Sequence, residues 1–393
     1  MVRHTKASLE LSRPSDNSTT IPDASRYGKS LKRYLQFLQS NAYRQTPLQM
    51  AQYDKARRSS RMKAASKDPY LAANEEEVEQ AIRRWDAIEK ENPFEWGPDY
   101  DLLENFWTRA VGALGHDFKM PRRMVIGTLP TGNLNAETLV APTGGMIVAV
   151  NRGTFLFLSK MADIVSPFFP YLEGKGTKST YSLKEKDISK KLSRKKLNER
   201  FVRAVLMYAR EENASWMPDV SRRTTHLPLA DTLGEAASFF VVAHEASHLA
   251  LRHTASSLRT RELPSGLEIR QVARSWKKEL AADDLAFQLT LLEYGGDVNK
   301  TTGAFLGIEF LLSSIESIEH LTGIFGDEYN PPAALRREVI RRHARRDMAP
   351  LSDGLIQKAT LLQRIMANLS ARALKVQKIL KRNAQPLDRN VST

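Results

Sequence analysis

One stretch of this 393-residue chain is apolar around almost the whole circumference of the helix that it predicts. The predicted helix covers Gly234 to His253, and Thr232 and Glu235 have the spacing of a capping box at its start. A helix that is apolar on every side belongs in a protein core. Two histidines and a glutamate interrupt its surface, and such groups are costly to bury unless they are paired or bind a metal.

The two histidines have the spacing of a metal site. Residues four apart on an α-helix differ by about 40° in direction, so the imidazoles of His244 and His248 stand on one face, one turn apart. Both ring nitrogens can then reach one cation at about 2.0–2.1 Å. Glu245 lies beside them, in position to take a proton from a water at the metal. Because the chain has no cysteine, a metal site must use His, Asp and Glu.

A second segment offers the third ligand that a catalytic zinc ion usually needs. Glu279 and Asp283 lie four residues apart in a predicted helix from about Glu268 to Tyr294. One carboxylate can bind the metal, while the other can accept the distal N–H of a ligand histidine and fix its tautomer. The alternative is two solvated carboxylates on an amphipathic helix. The neighbouring apolar residues favour burial: Leu280, Ala281, Ala282, Leu285, Ala286 and Phe287.

The run HEASHLALRH, followed by ELAAD, resembles the gluzincin zinc metallopeptidases. That family includes the prenyl-CAAX endopeptidases and their stress-response relatives. The resemblance covers roughly residues 230–345. It implies that His244, His248 and Glu279 bind zinc, that Glu245 is the general base, and that Asp283 contacts a ligand rather than the metal.

The sequence departs from several related patterns. Metzincins need Gly and His where this chain has Leu251 and Thr254, so that family is excluded. In gluzincins a His-Pro pair precedes an arginine, and that histidine is thought to help stabilise the tetrahedral intermediate. Here Asn330 replaces it. Tyr329 and Asn330 are the predicted oxyanion donors, with Arg336 as a nearby cation or an anchor for this turn; a plain turn is the alternative.

No stretch approaches the ~18 apolar residues of a membrane span, so the membrane helices of the prenyl-protease branch are absent. Soluble HExxH proteins, the phage-exclusion and ImmA-like peptidases, are therefore also relatives to consider. The polar N-terminus lacks the apolar segment of a secretory signal. Together with the lack of cysteine, these features predict a soluble, cytoplasmic protein without a transmembrane anchor.

The predicted fold class is α+β and zincin-like, with a small sheet packed on a mainly helical half that carries the metal site. Met124–Leu129 and Met146–Val150 are β-rich runs bounded by Pro and Gly, and everything beyond about Leu227 is predicted helical. Further predicted helices are Leu31–Met62, Glu75–Lys90, Leu197–Arg210, Thr301–Leu321, Ala333–Arg346 and Leu355–Arg382. Four regions follow: 1–70, basic and partly disordered; 71–225, α+β; 226–346, the helical metallopeptidase core; 347–393, a C-terminal helix and tail.

The net charge of +14 is concentrated in two segments. Residues 1–70 carry a balance of +9 and residues 175–203 a balance of +8. The simplest interpretation is a solvated surface, with residues 174–195 as a loop. An anionic partner is the alternative interpretation of both segments. No nucleic-acid-binding motif with interleaved aromatic residues accompanies the charge, so a nucleic acid is not the expected partner.

The function predicted from these features is hydrolysis of a peptide bond in a protein or peptide by a zinc-activated water. A non-catalytic or regulatory binding protein with a metalloprotease fold is the alternative, and the replacement at Asn330 supports it. A nucleic-acid-associated factor is a weaker alternative. His226 and His320 are expected to be structural, and His253 either contacts a ligand histidine or lies on the surface.

Overall fold

The computed structural model describes residues 30–45, 75–116, 118–142, 144–172, 180–181, 184–219, 226–253, 258–262, 268–272, 274–349 and 351–383. It is mainly helical with a small mixed sheet, which confirms the α+β class. The expected disordered tail at residues 1–30 lies outside the described residues, apart from Ser30. So does the predicted helix beyond Gln45.

The helices are α1 (Leu31–Gln45), α2 (Glu75–Glu91), α3 (Gly97–Leu114), α4 (Arg152–Val165), α5 (Glu185–Leu192), α6 (Lys195–Glu211), α7 (Leu227–Ala250), α8 (Trp276–Glu293), α9 (Val298–Thr322), α10 (Ala333–Asp347) and α11 (Ser352–Asn383). The strands are β1 (Met124–Leu129), β2 (Ala136–Val140), β3 (Met146–Asn151), β4 (Tyr171–Leu172), β5 (Thr180–Tyr181), β6 (Leu258–Glu262) and β7 (Glu268–Val272).

Five strands form one sheet in the order β1-β3-β2-β7-β6. β1 and β3 are parallel, with Met124 opposite Met146, and the other pairs are antiparallel. The two predicted strands are therefore confirmed, and β2 lies beside β3. β6 and β7 extend the sheet from beyond residue 225, so it takes strands from both sides of that predicted boundary.

The prediction that the chain is entirely helical beyond Leu227 is wrong. Residues Glu268–Val272, assigned to the start of a long helix, form β7 and pair with β6. Ile269 and Val272 are buried and β-branched, and β-branched residues favour strands. The helix begins only at Trp276, after Ser275.

The predicted capping box is also wrong. α7 begins at Leu227, with Pro228 in its first turn, where the fixed φ of proline favours helix initiation. Thr232 lies inside the helix and its hydroxyl donates to the carbonyl oxygen of Pro228 at 2.7 Å.

The segment 174–195 is not simply a loop. Thr180–Tyr181 pairs with Tyr171–Leu172, and Glu185–Leu192 forms α5. Residues 173–179 and 182–183 lie outside the described residues.

α7 is the central element of the core. It packs against α3, α4, α8 and α9, and its apolar side chains join the large buried cluster. Gly307 of α9 allows a very close approach, because a Cβ there would lie 2.5 Å from the Cβ of Ala236 on α7. The apolar helix is therefore buried as expected, and its polar residues are surrounded by closely packed helices.

Across the described residues, we find no helix with both the length and the apolar character needed to cross a bilayer.

Candidate metal centre

Two helices bring three metal-ligating side chains together. α7 supplies His244 and His248, and α8 supplies Glu279. The two histidine Nε2 atoms are 3.0 Å apart. Glu279 places Oε2 3.2 Å from Nε2 of His244 and Oε1 3.3 Å from Nε2 of His248. All three residues are buried.

This spacing fits a metal ion. Ligand atoms about 2.0–2.2 Å from a tetrahedral zinc ion lie roughly 3.3–3.6 Å from one another, close to the observed separations. Two imidazoles and one carboxylate are also the donor types of catalytic zinc sites. The described residues His244, His248 and Glu279 therefore fit a cation of this kind in both geometry and chemistry.

The group opens into a cleft of about 150 Å³. The residues on its wall include five ionisable side chains and one amide: His244, Glu245, Arg274, Glu279, Arg336 and Asn330. Apolar side chains from α7 and α9 line another part of the wall. Charged groups and apolar surface therefore lie side by side in the same cleft.

Asp283 connects His244 to a third helix. Its Oδ1 lies 2.9 Å from Nδ1 of His244. Arg336 of α10 donates to the same carboxylate from Nε at 2.8 Å and from Nη2 at 2.6 Å. Arg336 thus anchors the turn before α10 to α8, one of the two roles expected for it. Its Nη1 has no hydrogen-bond partner among the described residues.

His253 holds the other histidine from outside. Its Nδ1 lies 2.9 Å from Nδ1 of His248, just beyond the end of α7. Of the two positions considered for His253, the structure shows the contact with a candidate ligand.

Arg274 is the main site residue that sequence reasoning missed. It donates to Glu245 Oε1 from Nη1 at 3.1 Å and to Oε2 from Nη2 at 2.8 Å. The same Nη2 donates to the hydroxyl of Thr138 at 2.9 Å, and that hydroxyl donates to Glu245 Oε2 at 3.0 Å. The sequence predicts a helix at Arg274 and does not predict the strand that carries Thr138. No local spacing therefore links either residue to Glu245.

These contacts control ionisation in the cleft. Burial raises the pKa of Glu245, but the charge of Arg274 and the two histidines lower it to about 2. Burial lowers the pKa of His244, but Asp283 and Glu279 outweigh this and raise it to about 9. Burial and the positive charge of Arg274 lower the pKa of His248 to about 3. The site therefore holds an anionic Glu245 and attracts positive charge to His244.

The turn before α10 carries the two predicted oxyanion donors, and both of their side chains contact other residues. Asn330 reaches the cleft wall, but its Nδ2 already donates to both oxygens of Asp327 at 3.0 Å. Tyr329 is not among the residues on the wall, and its ring lies 4.6 Å from the guanidinium of Arg259.

A second group of metal-ligating residue types lies near the surface. It consists of Asp284, His343 and Asp347, and His343 is paired with Asp284. Arg346 donates to both oxygens of Asp347, at 2.6 and 2.8 Å, and lies 3.3 Å from Nδ1 of His343. Because Arg346 already occupies both oxygens of Asp347, we assign no metal to this group.

The sequence profile of the family described as Peptidase U49 matches residues 170–349, a little less than half of the chain. The matched part contains His244, Glu245, His248, Glu279 and Asp283. No curated protein and no solved structure matches the chain. The family match supports a peptidase, and with it a protein or peptide substrate.

The Arg274–Glu245 pair gives a prediction about stability. Arg274→Met leaves the buried Glu245 without its cation, so metal-free protein should lose about 3–5 kcal/mol of unfolding free energy at neutral pH. Urea denaturation measures the change. Adding Glu245→Gln should recover part of the loss, because a neutral amide is cheaper to bury.

Arg83→Met is the matched control, since Arg83 pairs with Glu79 on an exposed helix face. If Arg274→Met and Arg83→Met lower the unfolding free energy equally, the buried pair stabilises the fold no more than the exposed pair does.

Proposed function

We propose that this chain is a zinc-dependent metallopeptidase that hydrolyses peptide bonds with Glu245 as its general base. The observation that carries the proposal is the buried triangle of two imidazole nitrogens and a carboxylate, with sides of 3.0–3.3 Å. The similarity to a peptidase family supports the reaction class. Action in the cytoplasm is part of the proposal and agrees with the lack of cysteine.

His244, His248 and Glu279 would hold the metal. Three protein ligands leave a coordination position open, as in catalytic rather than structural zinc sites. Zinc bound there would supply Lewis-acid activation of a water and of the scissile carbonyl. The gluzincin assignment rests on this ligand set and on the order of the two motifs along the chain.

Glu245 would accept the proton of the attacking water and deliver it to the leaving amine. It is adjacent to the ligand His244 on α7 and lines the cleft. Arg274 keeps it ionised and oriented, but it also donates to both carboxylate oxygens. Among the described residues, Oε1 accepts only from Nη1 of Arg274, so it keeps a lone pair for the proton of the water. The two hydrogen bonds from Arg274 make Glu245 a weaker base without blocking it.

Three groups would orient the ligands. Asp283 would accept a hydrogen bond from Nδ1 of His244, which leaves Nε2 as the metal donor. Arg336 fixes Asp283 through two hydrogen bonds. His253 would fix the ring of His248 in the same way.

Arg336 is the candidate oxyanion donor that the geometry favours over Asn330 and Tyr329. Its Nη1 is uncommitted among the described residues and its side chain lines the cleft. By contrast, Asn330 donates to Asp327 and Tyr329 packs on Arg259. A fixed cation aimed at developing negative charge is a strong source of transition-state stabilisation.

A regulatory, non-catalytic protein with the same fold remains the second candidate function. The observation that favours it is the double hydrogen bond of Arg274 to Glu245, which stabilises the carboxylate and so makes it a weaker base. Retained zinc without any hydrolysis, across a broad set of protein substrates, would select this candidate.

The first prediction of the proposal concerns the metal. Purified protein should contain about one zinc ion per chain, and His248→Ala should lose it, because two remaining ligands form a weak site. Elemental analysis after gel filtration measures the content. His320→Ala, at an exposed position of α9, is the control and should keep its zinc. Full zinc content in a His244→Ala, His248→Ala double variant would refute the assignment.

A second prediction concerns the base. Glu245→Gln should keep its zinc and fold but lose about 10²–10⁴-fold in turnover, since an amide cannot accept the proton. New N-termini in a mixture of protein substrates, identified by mass spectrometry, give the readout. Glu235→Gln on the same helix is the control, because Glu235 pairs with Arg109 at the surface. Equal cleavage by Glu245→Gln and wild type would remove Glu245 from the mechanism.

A third prediction separates the oxyanion donors. Arg336→Lys should keep its zinc and lower kcat by about 10²–10³-fold, with a smaller change in KM. Asn330→Ala and Tyr329→Phe should lower kcat far less, because neither side chain offers an uncommitted donor at the cleft. If zinc content falls in parallel with turnover in Arg336→Lys, its role is confined to positioning Asp283. A large loss in Asn330→Ala alone would assign the donor to the turn.

A further inference from the structure

A second, larger concavity lies between α6 and the last turns of α11. This groove has a volume of about 1000 Å³, and none of its described lining residues belongs to the cleft at the candidate metal centre. Its walls are formed by Ser193, Lys195, Asn198, Glu199, Val202, Arg203, Leu206, Met207, Ala209, Arg210, Arg372, Val376, Gln377, Leu380 and Lys381. We call it the α6–α11 groove.

The floor of the α6–α11 groove is apolar. α6 turns Phe201 and Val205 into the core, while Val202 and Leu206 line the groove on an adjacent face. Across the groove, Val376 is 38% and Leu380 57% exposed. Apolar side chains that are this exposed along a concave surface are typical of a binding site for another apolar surface.

The rim of the groove is strongly basic. Lys195, Arg203, Arg210, Arg372 and Lys381 face Glu199, the one acidic side chain among the described lining residues. The internal ion pairs are weak or local: Lys195 lies 3.8 Å from Glu199, and Arg210 pairs with its neighbour Glu211. An occupant of complementary charge is therefore acidic at its edges and apolar at its centre.

We propose that the α6–α11 groove binds an acidic amphipathic helix of a partner protein. The stretch from Lys195 to Arg210 rises about 22 Å along α6, which matches some four turns of a bound helix. Such helices insert apolar residues at i, i+3, i+4 and i+7 into apolar grooves. This inference does not depend on the proposed peptidase activity.

Other occupants fit less well. The chain's own residues 1–70 carry a balance of +9, so the basic rim repels that segment from the same chain or a second copy. The described residues of the lining include no aromatic side chain, whereas single-stranded nucleic acids bind grooves through base stacking on aromatics.

The test uses the full-length protein and a labelled helix-forming peptide of about 18 residues, with Leu at i, i+3, i+4 and i+7 and Glu elsewhere. A control peptide replaces every Glu by Lys. Fluorescence anisotropy should show saturable binding of the acidic peptide and none of the basic one. Leu380→Glu and Arg203→Glu should each weaken binding about tenfold or more. Both positions are exposed, and circular dichroism checks the fold of each variant.

Leu292→Glu is the matched control, because Leu292 is 68% exposed on α8 and lies outside the groove. It should leave the affinity unchanged. Three results would overturn the proposal: equal binding of the acidic and basic peptides, unchanged affinity in Leu380→Glu, or loss of affinity in Leu292→Glu. A dimer, or capture by anionic vesicles, that is abolished by Leu380→Glu while the acidic peptide fails to bind would likewise overturn it, in favour of that other occupant.

Discussion

The candidate metal centre depends on one buried carboxylate that joins three helices. Asp283 of α8 meets His244 of α7 on one side and Arg336 of α10 on the other. It is fully buried, so its charge is tolerable only because the guanidinium neutralises it. The same pair lowers the pKa of Asp283 to about 2, despite burial, and keeps it an acceptor. The orientation of His244 thus follows from a contact that also fixes how the helices pack.

Charge balance explains why this cluster favours a cation. Three carboxylates (Glu245, Glu279 and Asp283) face two guanidinium groups (Arg274 and Arg336), which leaves one negative charge in excess when the histidines are neutral. Burial opposes charge on His244, yet the carboxylates raise its pKa to about 9. Protonation of His244 offsets part of this negative charge, and a divalent cation bound to the same nitrogen would offset more of it. Metal binding and protonation therefore compete for one site.

The sequence was enough to predict the parts of the site that are local. His244, Glu245 and His248 lie on one helical turn, and Glu279 and Asp283 on another, so a separation of four residues carries the geometry. Arg274 and Thr138 could not be found in this way. They reach Glu245 through the pairing of β2 with β7, which rests on contacts between distant segments. The error in β7 has the same origin, because a short run with buried Ile269 and Val272 suits a helix or a strand until its partner strand is known.

Arg274 connects Glu245, the proposed base, to the sheet. It follows β7 directly, and its guanidinium contacts Thr138 of β2, Glu245 of α7 and, at 3.8 Å, Glu279 of α8. Two donors to a buried carboxylate stabilise its ionised form and make it a weaker base, because both effects arise from the same hydrogen bonds. Because Arg274 also lies 3.8 Å from Glu279, a change in its position would alter the charge around the candidate ligands as well as the basicity of Glu245. The candidate metal site and the carboxylate beside it are therefore coupled through this one guanidinium.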